Sequence, residues 1–136
     1  MPANTNPLFI GDRKNWPLTF DETDTTVLQD LVVAGANGSL IESILACTTD
    51  TSAVELDLYL DDGAVTYPLG SVTITAGAGT DGGTTPAVNV LNQTDLPWLR
   101  DDLTLPIEAG MTLQVAAHAT ITTDKDVWVV AIGGDY

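Results

Sequence analysis

Val54-Glu55-Leu56-Asp57-Leu58-Tyr59-Leu60 alternates apolar and non-core residues without a break, and Asp61-Asp62-Gly63 follows at once. A period of two running into Asp-Gly is a half-buried β-strand that ends in a tight turn. Much of the chain has this form. Strands are predicted over 25–33, 39–48, 54–60, 65–69, 71–75, 87–91, 103–107, 111–120 and 127–132. Asn37-Gly38 and Asp62-Gly63 are the hairpin dipeptides. A helix over 25–33 is disfavoured by β-branched Thr26, Val27, Val32 and Val33. The stretch 76–86, rich in Gly and Thr, reads as an exposed loop, and 92–102, with Pro97 and Trp98, as an irregular connection. No helical period is sustained and no internal repeat is visible. Eight or nine strands at roughly ten-residue spacing predict an all-β fold, an antiparallel, jelly-roll-like β-sandwich, as one domain over 21–136.

Residues 1–20 read differently. Pro2, Pro7 and Pro17 oppose a helix, and Asn4, Asn6 and Asn15 favour turns. Within this extended N-terminal arm, Leu8-Phe9-Ile10 forms an apolar tooth, and Arg13-Lys14 and Trp16 follow. Such a segment packs on its own domain or on a neighbouring subunit. It can equally be an edge strand of its own fold, and the residues leave both readings open.

Charge narrows the function. Nineteen acidic residues against 4 basic ones give a net charge of −15. Nucleic acid and anionic membrane surfaces both need clustered cations, so neither is an expected partner. The excess acid serves solubility, or it fits a partner with a basic or polar surface. Apolar residues make up 44%, which is enough for a core, whereas charged residues are only 17%, so Thr, Asn, Ser and Gly must supply much of the surface polarity. The start, Met1 to Pro7, has no charged head followed by an apolar run and is not expected to act as a secretory signal. No apolar run approaches the ~18 residues of a spanning helix.

Candidate chemistry is thin. The single histidine, His118, falls on the strand face opposite Leu113, Val115 and Ala117 and reads as a surface or groove residue. Without a second histidine the usual zinc and non-haem iron sets cannot form. No serine sits in a nucleophile elbow. Gly77-Ala78-Gly79-Thr80-Asp81-Gly82 has dinucleotide-loop spacing, but Gly83-Thr84-Thr85-Pro86 follows where a helix is required. The pairs Asp61-Asp62, Asp101-Asp102 and Asp124 with Asp126 read as turn-forming aspartates; calcium is the alternative, although no twelve-residue calcium loop is present. Cys47, alone, reads as a small buried hydrophobe, and Trp128, in a stretch apolar on both faces, as core. Trp98 reads as an interface anchor or a sugar platform. No catalytic, cofactor-binding or metal-binding residue is assigned, and no enzyme activity is expected.

From Ser39 to the C-terminus the chain resembles small virion proteins of tailed bacteriophages. The resemblance lies in Ile41-Glu42-Ser43-Ile44-Leu45 with the strand 54–60, in Gly70-Ser71-Val72-Thr73-Ile74 with its Gly-Ala-Gly-Thr loop at 77–80, and in Val88-Asn89-Val90-Leu91 with Leu96-Pro97. It continues through Leu105-Pro106-Ile107-Glu108-Ala109-Gly110-Met111-Thr112-Leu113-Gln114-Val115 and the ending Gly133-Gly134-Asp135-Tyr136. The resemblance implies a capsid decoration (cement) protein: a rigid β-sandwich, a homotrimer, made in the host cytoplasm and located in the virion, with the major capsid protein as partner and no cofactor. The shell contact is then expected at Leu8, Phe9, Ile10, Arg13, Lys14 and Trp16, with Trp98. Deleting residues 1–16 is expected to leave a folded domain that no longer binds. A tail or baseplate component, or a carbohydrate- or receptor-binding sandwich, is the alternative.

Overall fold

The computed structural model describes residues 9–136. Nine strands follow in order: β1 (Asp12–Phe20), β2 (Gln29–Val33), β3 (Ser39–Thr48), β4 (Val54–Asp61), β5 (Thr66–Ile74), β6 (Val88–Asn89), β7 (Leu105–Ile107), β8 (Thr112–Ala117) and β9 (Val127–Asp135). A single 3-10 turn, Glu22–Asp24, links β1 to β2. The strands form two antiparallel sheets, one in the order β1-β9-β3-β6 with β7 also on β3, the other in the order β2-β8-β4-β5. The predicted all-β sandwich is what the chain forms. Among the described residues no helix is long and apolar enough to cross a membrane.

The period of two explains how the sheets meet. From the first sheet Phe20, Ile41, Ile44, Val127, Val129 and Ala131 point inward, and from the second Leu56, Leu58, Val72, Ile74, Leu113 and Val115 face them. Each of these side chains other than Ala131 contributes roughly 1.5–3 kcal/mol by leaving water. Ile41 and Ile44 are three residues apart and would lie on opposite faces of a regular strand. A bulge resolves the conflict: Ile41 pairs with Gly133 and Ser43 with Ile132, which leaves Glu42 unpaired. Likewise 65–69 and 71–75 are one strand, β5, because a bulge at Leu69 and the positive φ of Gly70 (143°) carry the ladder across the break.

Three expectations need correction. Of the segment read as an arm, Asp12–Phe20 is an edge strand paired along its whole length with β9, so the edge-strand reading holds there. Deleting residues 1–16 would therefore remove more than half of β1. Asn37-Gly38 does not join a hairpin: β2 pairs with β8 and β3 with β9, so this turn passes the chain from one sheet to the other. The dipeptide reports only the local turn, in which Gly38 takes a φ of 87°, while the partners are set by which faces must be buried. Trp128 lies outside the core, 38% exposed, since Val127 and Val129 take the inward positions on either side of it.

Candidate functional site

The two outer sheet faces are chemically unlike. On the second sheet, period-two alternation sends Asp30, Glu55, Asp57 and Asp61 outward with Gln114 and His118. His118 lies just past β8, and its N–H donates to the Glu55 carbonyl at 2.9 Å. That bond sets the ring between two carboxylates. Nδ1 is 3.0 Å from Asp57 Oδ2, and Nε2 is 3.9 Å from Glu55 Oε2. The Ser71 hydroxyl, across the ladder on β5, donates to Asp57 Oδ1 and orients it. The hydrogen bond from Asp57, then its charge and that of Glu55, raise the His118 pKa above its ordinary value.

Glu55, Asp57 and His118 offer ligand atoms within 4.8 Å of one another. Two carboxylates and one imidazole suit a transition ion better than calcium, which takes oxygen ligands only. The adjoining cleft, bordered by Asp50, Val54 and Thr122, holds about 260 Å³, less than most small-molecule sites. The Ser71 hydroxyl bonds Asp57 rather than His118, so the dyad does not extend to a nucleophile in the manner of a hydrolase triad.

At the floor of the same end, Asp50 is 4% exposed. Its carboxylate accepts the Ser52 N–H at 2.9 Å and the Thr122 hydroxyl at 2.7 Å, and its carbonyl accepts the Gly77 N–H. Burial pushes its pKa up, but these donors and Lys125 outweigh that and hold it below the ordinary carboxylate value. Asp50 thus ties three loops together. Three aspartates of the acidic pairs also serve as caps: Asp61 accepts from Gly63, Asp62 from Ala64 and Val65, and Asp102 from Thr104.

The outer face of the first sheet carries the opposite chemistry. Three rows cross β1, β9 and β3: Asn15, Ile132 and Ser43; Pro17, Val130 and Leu45; Thr19, Trp128 and Cys47. No ionisable acid or base other than the thiol stands in them. Cys47 is half-buried, and Gly79 lies so near that a Cβ there would stand 2.6 Å from its sulfur.

The residues expected to bind a partner fall in three places. Phe9 is 77% exposed and, with Ile10, Arg13, Leu40, Glu42 and Tyr136, lines a shallow groove at one end of that apolar face. Alternation splits the basic pair: Arg13 points outward and meets Glu42 at 3.5 Å, whereas Lys14 meets Asp135 at 2.5 Å. The contact with Asp135 raises the Lys14 pKa, and the contact with Lys14, aided by the Ser39 hydroxyl, lowers that of Asp135. Trp16 is half-buried and packs against the core. Trp98 sits apart, 46% exposed, its Nε1–H donating to the Leu69 carbonyl of β5 in the second sheet at 2.7 Å. Leu8 lies outside the described residues. The sequence reading missed Leu45, Val130 and Trp128 as a surface; the signal was present, since β9 is apolar on both faces.

Compared with known proteins, the chain matches no family model and no curated protein. Among solved structures it is similar to the crystal structure of the Drosophila NLP-core, which concerns pentamer formation and histone binding in that protein. The TM-score is 0.51 at 12% identity, over 92% of this chain and 100% of the other. That likeness is one of fold.

Proposed function

We propose that this chain is a structural protein of a bacteriophage particle, a capsid decoration protein that binds the assembled shell of major capsid protein and stabilises it without catalysis. The observation that carries the reading is Phe9, a large aromatic held 77% in solvent beside Ile10 and Arg13 at the end of a charge-free sheet face. An exposed aromatic beside an arginine, here ion-paired with Glu42, is the form of an interface anchor. A protein that binds only the assembled shell stabilises that state by mass action, and copies held together as a trimer add avidity. The resemblance of residues 39–136 to phage virion proteins supplies the partner.

The test is co-sedimentation of the purified chain with shells that lack it, together with the melting temperature of those shells. Bound protein should raise the shell melting temperature, and Phe9→Asp should weaken binding by about tenfold or more. Shells that neither bind the chain nor gain stability from it contradict the reading.

A second reading is favoured by the outward carboxylates Asp30, Glu55, Asp57 and Asp61. They suit a basic protein surface, and the Drosophila NLP-core, which shares the fold, is a histone-binding protein. The two readings separate by salt. Binding to a basic partner weakens as salt screens the charges, whereas binding through Phe9 does not.

A further inference from the structure

We propose that the outer face of β1, β9 and β3 is where a second copy of this chain docks. At its centre Pro17, Val130 and Leu45 stand side by side, with Trp128 and Ile132 in the flanking rows of β9. Leu45 keeps 40% of its surface in solvent and Trp128 38%. Continuous apolar area of this kind marks a contact with another macromolecule.

Charge selects the occupant. At a net charge of −15 two copies repel one another. Meeting through the second sheet would stack Glu55 and Asp57 of one copy against the carboxylates of the other. The β1–β9–β3 face lets two copies approach without opposing charges, and a basic partner would find no ion pair there. The rim supports the same occupant. Arg13 and Glu42 stand at one end of the face, and their side chains are 77% and 37% exposed. One charge of each sign at this end of the face is self-complementary: in a two-fold contact that brings these ends together each Arg13 can turn to the other copy's Glu42, and the acidic residues beyond Thr19 and Trp128 at the other end add to the repulsion that salt screens. A two-fold contact closes as a dimer, so the inference goes beyond the decoration reading, whose trimer it does not supply. It is argued from this chain's own charge distribution, and its test uses no shell, so either can fail alone.

The test is sedimentation velocity of the full chain across concentration and salt, on wild type, Leu45→Asp, Thr19→Asp and, as control, Val65→Asp on the β4–β5 hairpin. Wild type should sediment at twice 14.3 kDa, and added salt should strengthen the assembly, because it screens the repulsion and leaves the apolar contact intact. Leu45→Asp and Thr19→Asp should weaken assembly by more than about tenfold, since each puts a carboxylate into the contact. Val65→Asp should assemble as wild type does. If circular dichroism shows Leu45→Asp unfolded, Thr19→Asp on the edge strand decides the matter. Wild type at monomer mass under all conditions, assembly that salt dissolves, or folded face variants that assemble unchanged would each overturn the proposal.

Discussion

His118 lies on the face that its neighbours in sequence predict, in surroundings that they do not. Alternation along β8 places it outside, and it is outside; nothing local to it announces Asp57, 61 positions earlier. The two carboxylates favour the imidazolium, so the folded state holds its proton to a higher pH than the unfolded chain does. The contribution to stability is therefore fully present below the ordinary histidine value of about 6.5 and is lost as pH rises through the folded value. Urea midpoints of wild type and His118→Gln should differ in mildly acidic solution and converge at alkaline pH. A constant difference across that range would show that the ring acts by packing alone. NMR titration supplies the companion check: Asp57→Asn should bring the His118 pKa back toward its ordinary value. The turn aspartates, by contrast, were readable as turns, because Asp62 and Asp102 act on backbone N–H groups two or three residues ahead.

At the scale of elements, strands whose partners are set by burial were legible and the exceptions were not. β3 covers the predicted 39–48, and β4 adds only Asp61 to 54–60. β1 was legible only as one of two readings of residues 1–20, because Pro17 weakens the strand signal; it is tolerated because this is an edge strand. β9 extends three residues past the predicted 132, through two glycines that carry no strand signal. Gly133 is in fact what lets β3 pass: a Cβ there would run into the carbonyl of Leu40, which is backbone and cannot move aside cheaply. Gly133→Ala should therefore lower stability by about 1–3 kcal/mol or more, read as a reduced denaturation midpoint. A midpoint equal to wild type would mean that the bulge at Glu42 absorbs the added methyl. The bulge at Glu42 has no local signature and answers to the opposite strand, whereas Gly70 marks the one at Leu69.

For the whole molecule, the decisive property is the contrast between its two outer faces. A period of two tells which residues leave the core, and composition tells that most charges are acidic. Neither says that Asp30, Glu55, Asp57 and Asp61 share the outer face of the β2–β8–β4–β5 sheet while Pro17, Leu45, Trp128, Val130 and Ile132 share the other. That partition follows from strand order, which brings β1 and β3 to either side of β9 although they are far from it in sequence. It also explains why Trp128 was expected in a core: the side chain has an apolar setting, but one that a single copy leaves partly open. The measurement that bears most directly on this account is side-chain oxidation footprinting of the full chain in its assembled and its dilute states. Trp128 should be protected several-fold on assembly while exposed Tyr67, on the β5 edge, reacts equally in both; Trp128 reacting at one rate in the two states would contradict it.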